Sequence, residues 1–283
     1  MLRIQLIVKT LLTFILAILI CLGAQAKNKL PIAFLSFDGL HVAADGTRYA
    51  ADGADGTNVY KVDDKGVITV FATGLAGPID ITSDSAGNLF VTNFNKPVIT
   101  KIEPDGTTSE FAVTDLGPSG ITIDEYDNLY VSQYGSLAGG GDTVYQITPN
   151  GEVSVYAQGG LLDTSVGITM DDLGNLYVAN FNNGKIIKIT PQREQILMAE
   201  FPSPDGFAIG HLVYANNRLF ATGLIDQLIY IIRNNGRVRA RDIVKEGEFP
   251  NGIALDATRN EVIFTNTFAA SFGFDRIRLP KQH

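Results

Sequence analysis

The 283-residue chain has no tryptophan, one cysteine and three histidines. A single thiol excludes a disulfide framework within the chain, so stability has to come from packing. Charged residues make up only 18% of the sequence, and the formal net charge is −8. An acidic chain without Lys/Arg clusters offers no phosphate-neutralising face, which excludes a nucleic-acid partner. Global disorder is excluded too, because 45% of the residues are hydrophobic, enough to build a sizeable core. Glycine is the abundant residue, with 29 copies, and it points to many tight turns joining short elements.

Arg3 and Lys9 open the chain, residues 11–22 are an almost unbroken apolar run, and Ala24-Gln25-Ala26 supplies small residues before Lys27. This order predicts an export signal cleaved after Ala26. The apolar run would rise about 18 Å as a helix, against a hydrocarbon core of about 30 Å, so a retained membrane anchor is disfavoured. Cys21 lies inside the signal, and Ile20 stands where a lipoprotein signal carries a small residue. The expected mature chain, residues 27–283, has no cysteine and a net charge of −10. Its destination is the periplasm or the medium, and it is expected to be a monomer.

Internal repetition dominates the rest. Residues 81–90 (ITSDSAGNLF), 121–130 (ITIDEYDNLY) and 168–177 (ITMDDLGNLY) are three copies of one pattern, with weaker copies at 40–49, 211–220 and 253–263. Asp84, Asp124 and Asp171 are 40 and 47 residues apart, and Asp256 follows 85 residues later. The spacing predicts six units of about 43 residues. Within a unit, period-two alternation marks strands, as in Val98-Ile-Thr-Lys-Ile102, and no helical period competes. Asp105-Gly106, Asn150-Gly151 and Asn235-Gly236 supply hairpin turns that need positive φ. Four short strands per unit, six times over, predict an all-β, six-bladed β-propeller with four-stranded antiparallel blades. The last unit runs out after three strands, and residues 31–37 have no other home. They are expected to supply the outer strand of the sixth blade and close the ring.

In such a ring the first-to-second and third-to-fourth turns share one face, here the turn face. The second-to-third loops and the inter-blade links share the other, the loop face. The variable segments 52–58, 93–97, 133–143, 180–185 and 266–274 all fall on the loop face, the expected binding surface. Asp52, Asn93, Gln133, Asn180 and Asn266 stand three residues beyond the repeated Tyr/Phe position, with Gly223 in the fifth unit. Asp38, Asp80, Ser119 and Asn251 begin the innermost strands at the same mouth. The expected ligand-binding set is Asp38, Asp52, Asn93, Gln133, Asn180, Asn251 and Asn266, with stacking area from Phe94, Tyr134, Phe181 and Phe268. The plainer reading of the amides is that they bond to neighbouring backbone, and of the rings that they wedge the blades. The turn aspartates Asp84, Asp124 and Asp171 read as structural, His41 as a packed core residue, and Gly139-Gly140-Gly141 as a flexible turn.

The pattern Pro-x-Gly-Ile-x-x-Asp-x-x-Gly-Asn-Leu-Tyr-Val-x-Asn resembles NHL repeats and the senescence-marker-protein/gluconolactonase propellers, and Phe249-Pro-Asn-Gly-Ile-Ala-Leu255 resembles the latter. The resemblance implies a propeller that binds a small molecule or an extracytoplasmic protein through its loop face, with no cofactor. Its enzyme branch implies instead a metal-dependent lactonase or esterase with a divalent cation such as calcium at the channel mouth. Asp38 matches the first ligand of that site, but Ser119 and Val166 occupy the middle-blade positions, and valine cannot be a ligand. Streptogramin-lyase-type propellers, which the chain also resembles in outline, use paired histidines with a glutamate near the mouth. No such constellation is visible in the sequence.

Overall fold

The computed structural model describes residues 37–63, 65–202, 208–244, 248–267 and 274–280. The export signal, Cys21, the closing strand expected at 31–37 except Phe37, Phe268 and His283 lie outside the described residues.

Five antiparallel sheets have four strands in chain order, and the sixth has three among the described residues. The innermost strands are Leu40–Val42, Pro78–Ser83, Pro118–Ile123, Ser165–Met170, Leu212–Ala215 and Phe249–Asp256. Each sheet is a blade of a six-bladed β-propeller, and the core is divided among the seams between blades. Ala51 and Val59 of blade 1 pack with Ile81 and Val91 of blade 2, and similar clusters fill every following seam. The cluster that closes the ring joins Phe37, Leu40, Ala50 and Tyr60 to Ala254 and Ile263 of blade 6. Because both faces of a blade are covered by its neighbours, second strands such as Leu89–Asn93 and Leu176–Asn180 are buried along their whole length. Alternate residues serve alternate seams: Val91 faces blade 1 and Phe90 faces blade 3.

The repeated Asp-x-x-Gly-Asn pattern has a local cause. Asp84 Oδ1 accepts the N–H groups of Ala86 and Asn88, and Asn88 donates its amide to Asp84 Oδ2 at 2.7 Å. Asp124 and Asp171 repeat the arrangement, the latter also accepting Tyr177 O–H at 2.9 Å. The side chains thus replace ladder bonds that a tight turn forgoes. In the third-to-fourth turns only the glycine of each pair takes positive φ, as at Gly106 (90°), Gly151 (84°) and Gly236 (78°). These are therefore one-glycine bulge turns, and Asp105, Asn150 and Asn235 stay in ordinary backbone regions. The glycine-rich segment of blade 3 is more ordered than expected, pairing Gly135–Ser136 with Gly139–Gly140 as a small hairpin.

Candidate functional site

One backbone column around the axis defines the centre of the ring. The N–H groups of Asp80, Gly120, His211 and Gly252 each donate, at 3.0 Å, to a hydroxyl of the second strand in their own blade. Gly39 and Gly167 hold the same place in blades 1 and 4. The four glycines of this column are required by close approach, because a Cβ on any of them would come within 2.5 Å of backbone oxygen in the next blade. Blades 2 and 5, opposite one another in the ring, carry Asp80 and His211 instead.

Those two side chains meet on the axis. His211 Nε2 lies 2.9 Å from Asp38 Oδ1, and Nδ1 lies 3.6 Å from Asp80 Oδ2. The Asp80 carboxylate also accepts the N–H groups of Ile81 at 2.9 Å and Ile121 at 3.1 Å, covering the unpaired inner edges of two strands. Burial alone would lower the His211 imidazole, but the carboxylates of Asp80 and Asp38 reverse this and lift it to about 10. On the turn-face side of this cluster, all six inner strands line a cavity of about 220 Å³. His41 lines the cavity, half-buried rather than packed in the core, with Nε2 2.9 Å from Ser83 Oγ. Its imidazole is pushed down to about 4 by burial, which the charge of Asp80 only partly offsets.

The two histidines titrate with opposite sign. Between pH 4 and 6.5 the unfolded chain binds a proton at residue 41 that the folded chain does not, so stability falls as pH falls. Between 6.5 and about 10 the folded chain keeps a proton at His211 that the unfolded chain has released, so stability falls as pH rises. We expect a stability maximum near pH 6.5 in a denaturation series. His41→Gln should flatten the acid limb and His211→Gln the alkaline limb.

The sequence-predicted polar set divides in two. Asn93 is buried, accepting Ala76 N–H at 2.9 Å and donating to Val98 O and Thr100 Oγ1. Asn180 is fully buried and joins Asp163 N–H to Leu161 O in the link that leads into its own blade. Both amides end the second strand and hold the inter-blade link. Asp52 accepts from Thr57 and Asn58 within its own loop, and Asn266 donates to Glu248 and Asp275. Gln133, with one bond of 3.3 Å to Leu116 O, and Asn251, donating to Phe37 O at 3.4 Å, are half-buried at the mouth. Asp38 alone of the seven joins the axial cluster. The structure adds His211 and Asp80 as its partners.

The aromatic residues form a continuous feature of the loop face. Phe94, Tyr134 and Phe181, from blades 2, 3 and 4, run edge to face with centroids 5.3 and 5.4 Å apart. All three are half-buried, and Leu116, Leu137 and Leu161 in the adjoining links and hairpin are exposed.

For the divalent cation that the gluconolactonase resemblance implies, the donor set does not fit. Asp38 Oδ1 is taken by His211, the Ser119 side chain is buried and Val166 has no donor. Among the described residues no group of three or more His, Cys, Asp or Glu side chains is arranged to hold a metal ion.

The chain is a six-bladed propeller with a polar plug on its axis and an aromatic arc on its loop face, a fold that hosts many unrelated functions. The chain matches the family model described as the Virginiamycin B lyase family over residues 40–270 and belongs to that family. No curated protein matches its sequence. Among solved structures it is similar to a streptogramin B lyase, with TM-score 0.65, 18% identity and 89% and 86% of the two chains covered. It is also similar to a catalytically inactive histidine-to-alanine variant of virginiamycin B lyase from Staphylococcus aureus with quinupristin, with TM-score 0.62, 18% identity and 89% and 87% covered. A gluconolactonase from Xanthomonas campestris aligns with TM-score 0.70, 14% identity and 83% and 84% covered. At these identities the structural likeness establishes the fold alone.

Proposed function

We propose that the mature chain, exported after cleavage at Ala26, binds a peptide-like ligand with apolar or aromatic groups on its loop face and does not turn it over. The observation that carries this reading is the edge-to-face row Phe94–Tyr134–Phe181, which offers a half-buried aromatic floor at the level of the variable loops. Rings fixed in this way present apolar area at little entropic cost. Gln133 stands beside Tyr134 with hydrogen-bonding capacity, and Asn251 and Asp38 add an amide and a carboxylate at the mouth. Membership of the Virginiamycin B lyase family, and likeness to a relative solved with quinupristin, favour a ligand of that kind.

The two histidines are placed against turnover. His211 turns both ring nitrogens to carboxylates, Nε2 at 2.9 Å from Asp38 and Nδ1 at 3.6 Å from Asp80, which leaves neither directed at a ligand on the loop face. His41 lies in the cavity on the far side of that cluster from the loops. Among the described residues no other histidine is present.

Calorimetric titration of the mature chain with quinupristin is expected to give saturable binding, and Tyr134→Ala to weaken it at least tenfold, about the worth of one stacked ring. Mass spectrometry of the recovered quinupristin should show it intact, with or without added magnesium or calcium. No binding would sink the recognition surface. Cleavage, or hydrolysis of a lactone on adding a divalent ion, would establish the enzyme reading in its place.

A further inference from the structure

We propose that His211 is a built-in cation that ties blades 1, 2 and 5 across the propeller axis and takes the place of a divalent ion, so that the ring is complete without a metal. At Gly39, Gly120, Gly167 and Gly252 the next blade's backbone leaves no room for a side chain, so positions 80 and 211 alone in that column send side chains to the axis. One is acidic and one is an imidazole, they come from opposite blades, and a second carboxylate, Asp38, approaches the free side of the ring.

The geometry sets the charge state. A neutral imidazole carries one N–H and would turn a lone pair toward one of its two facing carboxylates. Only the doubly protonated ring offers an N–H to each. Two carboxylates this close to the axis, with side chains 26% and 12% exposed, would otherwise confront one another with no counter-charge. Asp80 cannot swing away, because Ile81 and Ile121 each hold one of its oxygens. The other groups nearby are neutral or already engaged: His41 bonds Ser83, and Asn251 donates to Phe37 O. His211 thus supplies, as part of the chain, the positive charge that a bound ion would otherwise bring to Asp38.

The test uses the mature chain carrying His41→Gln and His283→Gln, which leaves His211 as its one histidine. With nitrogen-15-labelled histidine, the expected spectrum at pH 8 is that of a ring protonated on both nitrogens. In the unsubstituted mature chain, calcium, zinc or a chelator should leave the melting temperature unchanged. An ion bound at a hundred times its Kd would raise it by roughly 5–10 °C. A neutral imidazole at pH 8, or a melting temperature raised by calcium or zinc, would overturn the proposal. Loop-face binding of quinupristin is read separately and stands or falls on its own.

Discussion

Replacing Asp256 with alanine is expected to lower the unfolding free energy by about 3–5 kcal/mol, and the melting temperature by roughly 10 °C for a domain of this size. The Asp256 side chain is fully buried where blade 6 meets blade 1. It accepts Arg48 at 3.1 Å from the second strand of blade 1, Arg259 at 2.8 Å and Thr258 at 2.6 Å. Arg48 in turn lies over the Phe274 ring, 5.3 Å from its centroid, and is itself largely buried. Removing the carboxylate strands that guanidinium, whose Nε already has no hydrogen-bond partner among the described residues. Arg48→Met should cost less, because Asp256 keeps Arg259. Burial raises the Asp256 carboxyl, but the hydrogen bonds of Thr258, Arg259 and Arg48 outweigh it and hold it below the ordinary value. The folded state therefore releases this proton more readily than the unfolded one. Its stabilisation is present above pH 3.8 and is lost as pH falls through the folded value. Urea denaturation of both variants at neutral pH checks the prediction, and a loss under about 1 kcal/mol for Asp256→Ala would refute it.

The sequence made the architecture readable because each blade repeats one local solution. An Asp–Asn turn, a buried second strand and an alternating third strand recur at a spacing that only a ring of like sheets accommodates. The strands Val98–Ile102 and Thr108–Val113 fall where the alternation puts them. The centre was less legible. Asp38 stands out as an acid at a strand start, but its partner His211 lies in a degenerate copy whose pattern is eroded. Register hides it further: the first hairpin of blade 5 turns tightly between Ala215 and Arg218, where blade 2 turns between Ser83 and Leu89, so His211 stands nine residues before Phe220 and Asp80 ten before Phe90. Counting from the repeated Tyr/Phe therefore does not align Asp80 with His211. The signal that does exist is the glycine column, with its two exceptions in opposite blades. The roles of Asn93 and Asn180 depended on which loop folds over each strand end, and that is a tertiary property. Both extend their strands by one residue and bond the link.

Gly120→Ala is expected to cost about 3 kcal/mol, the upper part of the range for an overpacked site. The added Cβ would meet Val166 O, Ile168 N at 2.8 Å and Gly167 Cα at 3.0 Å, all of them backbone of blade 4. No rotamer change can relieve such a contact, so blades 3 and 4 must part. Their seam is filled by Tyr130, Val144, Ile168, Leu176 and Val178, and a shift there opens close-packed apolar surface over several side chains at once. Two controls isolate the cause. At Gly66, where φ is 77°, nothing lies within 4 Å of an added Cβ, so alanine there pays only for its backbone conformation, about 1 kcal/mol. At Gly210 the nearest atom is the Thr222 hydroxyl at 3.0 Å, a contact that a shift of a few tenths of an ångström relieves. The expected order of destabilisation in thermal or urea melts is Gly120→Ala well above Gly66→Ala and Gly210→Ala. If the three variants melt together, the close approach of blades at the axis is not what selects glycine. The contrast with Asp80 and His211 would then lose its meaning as well.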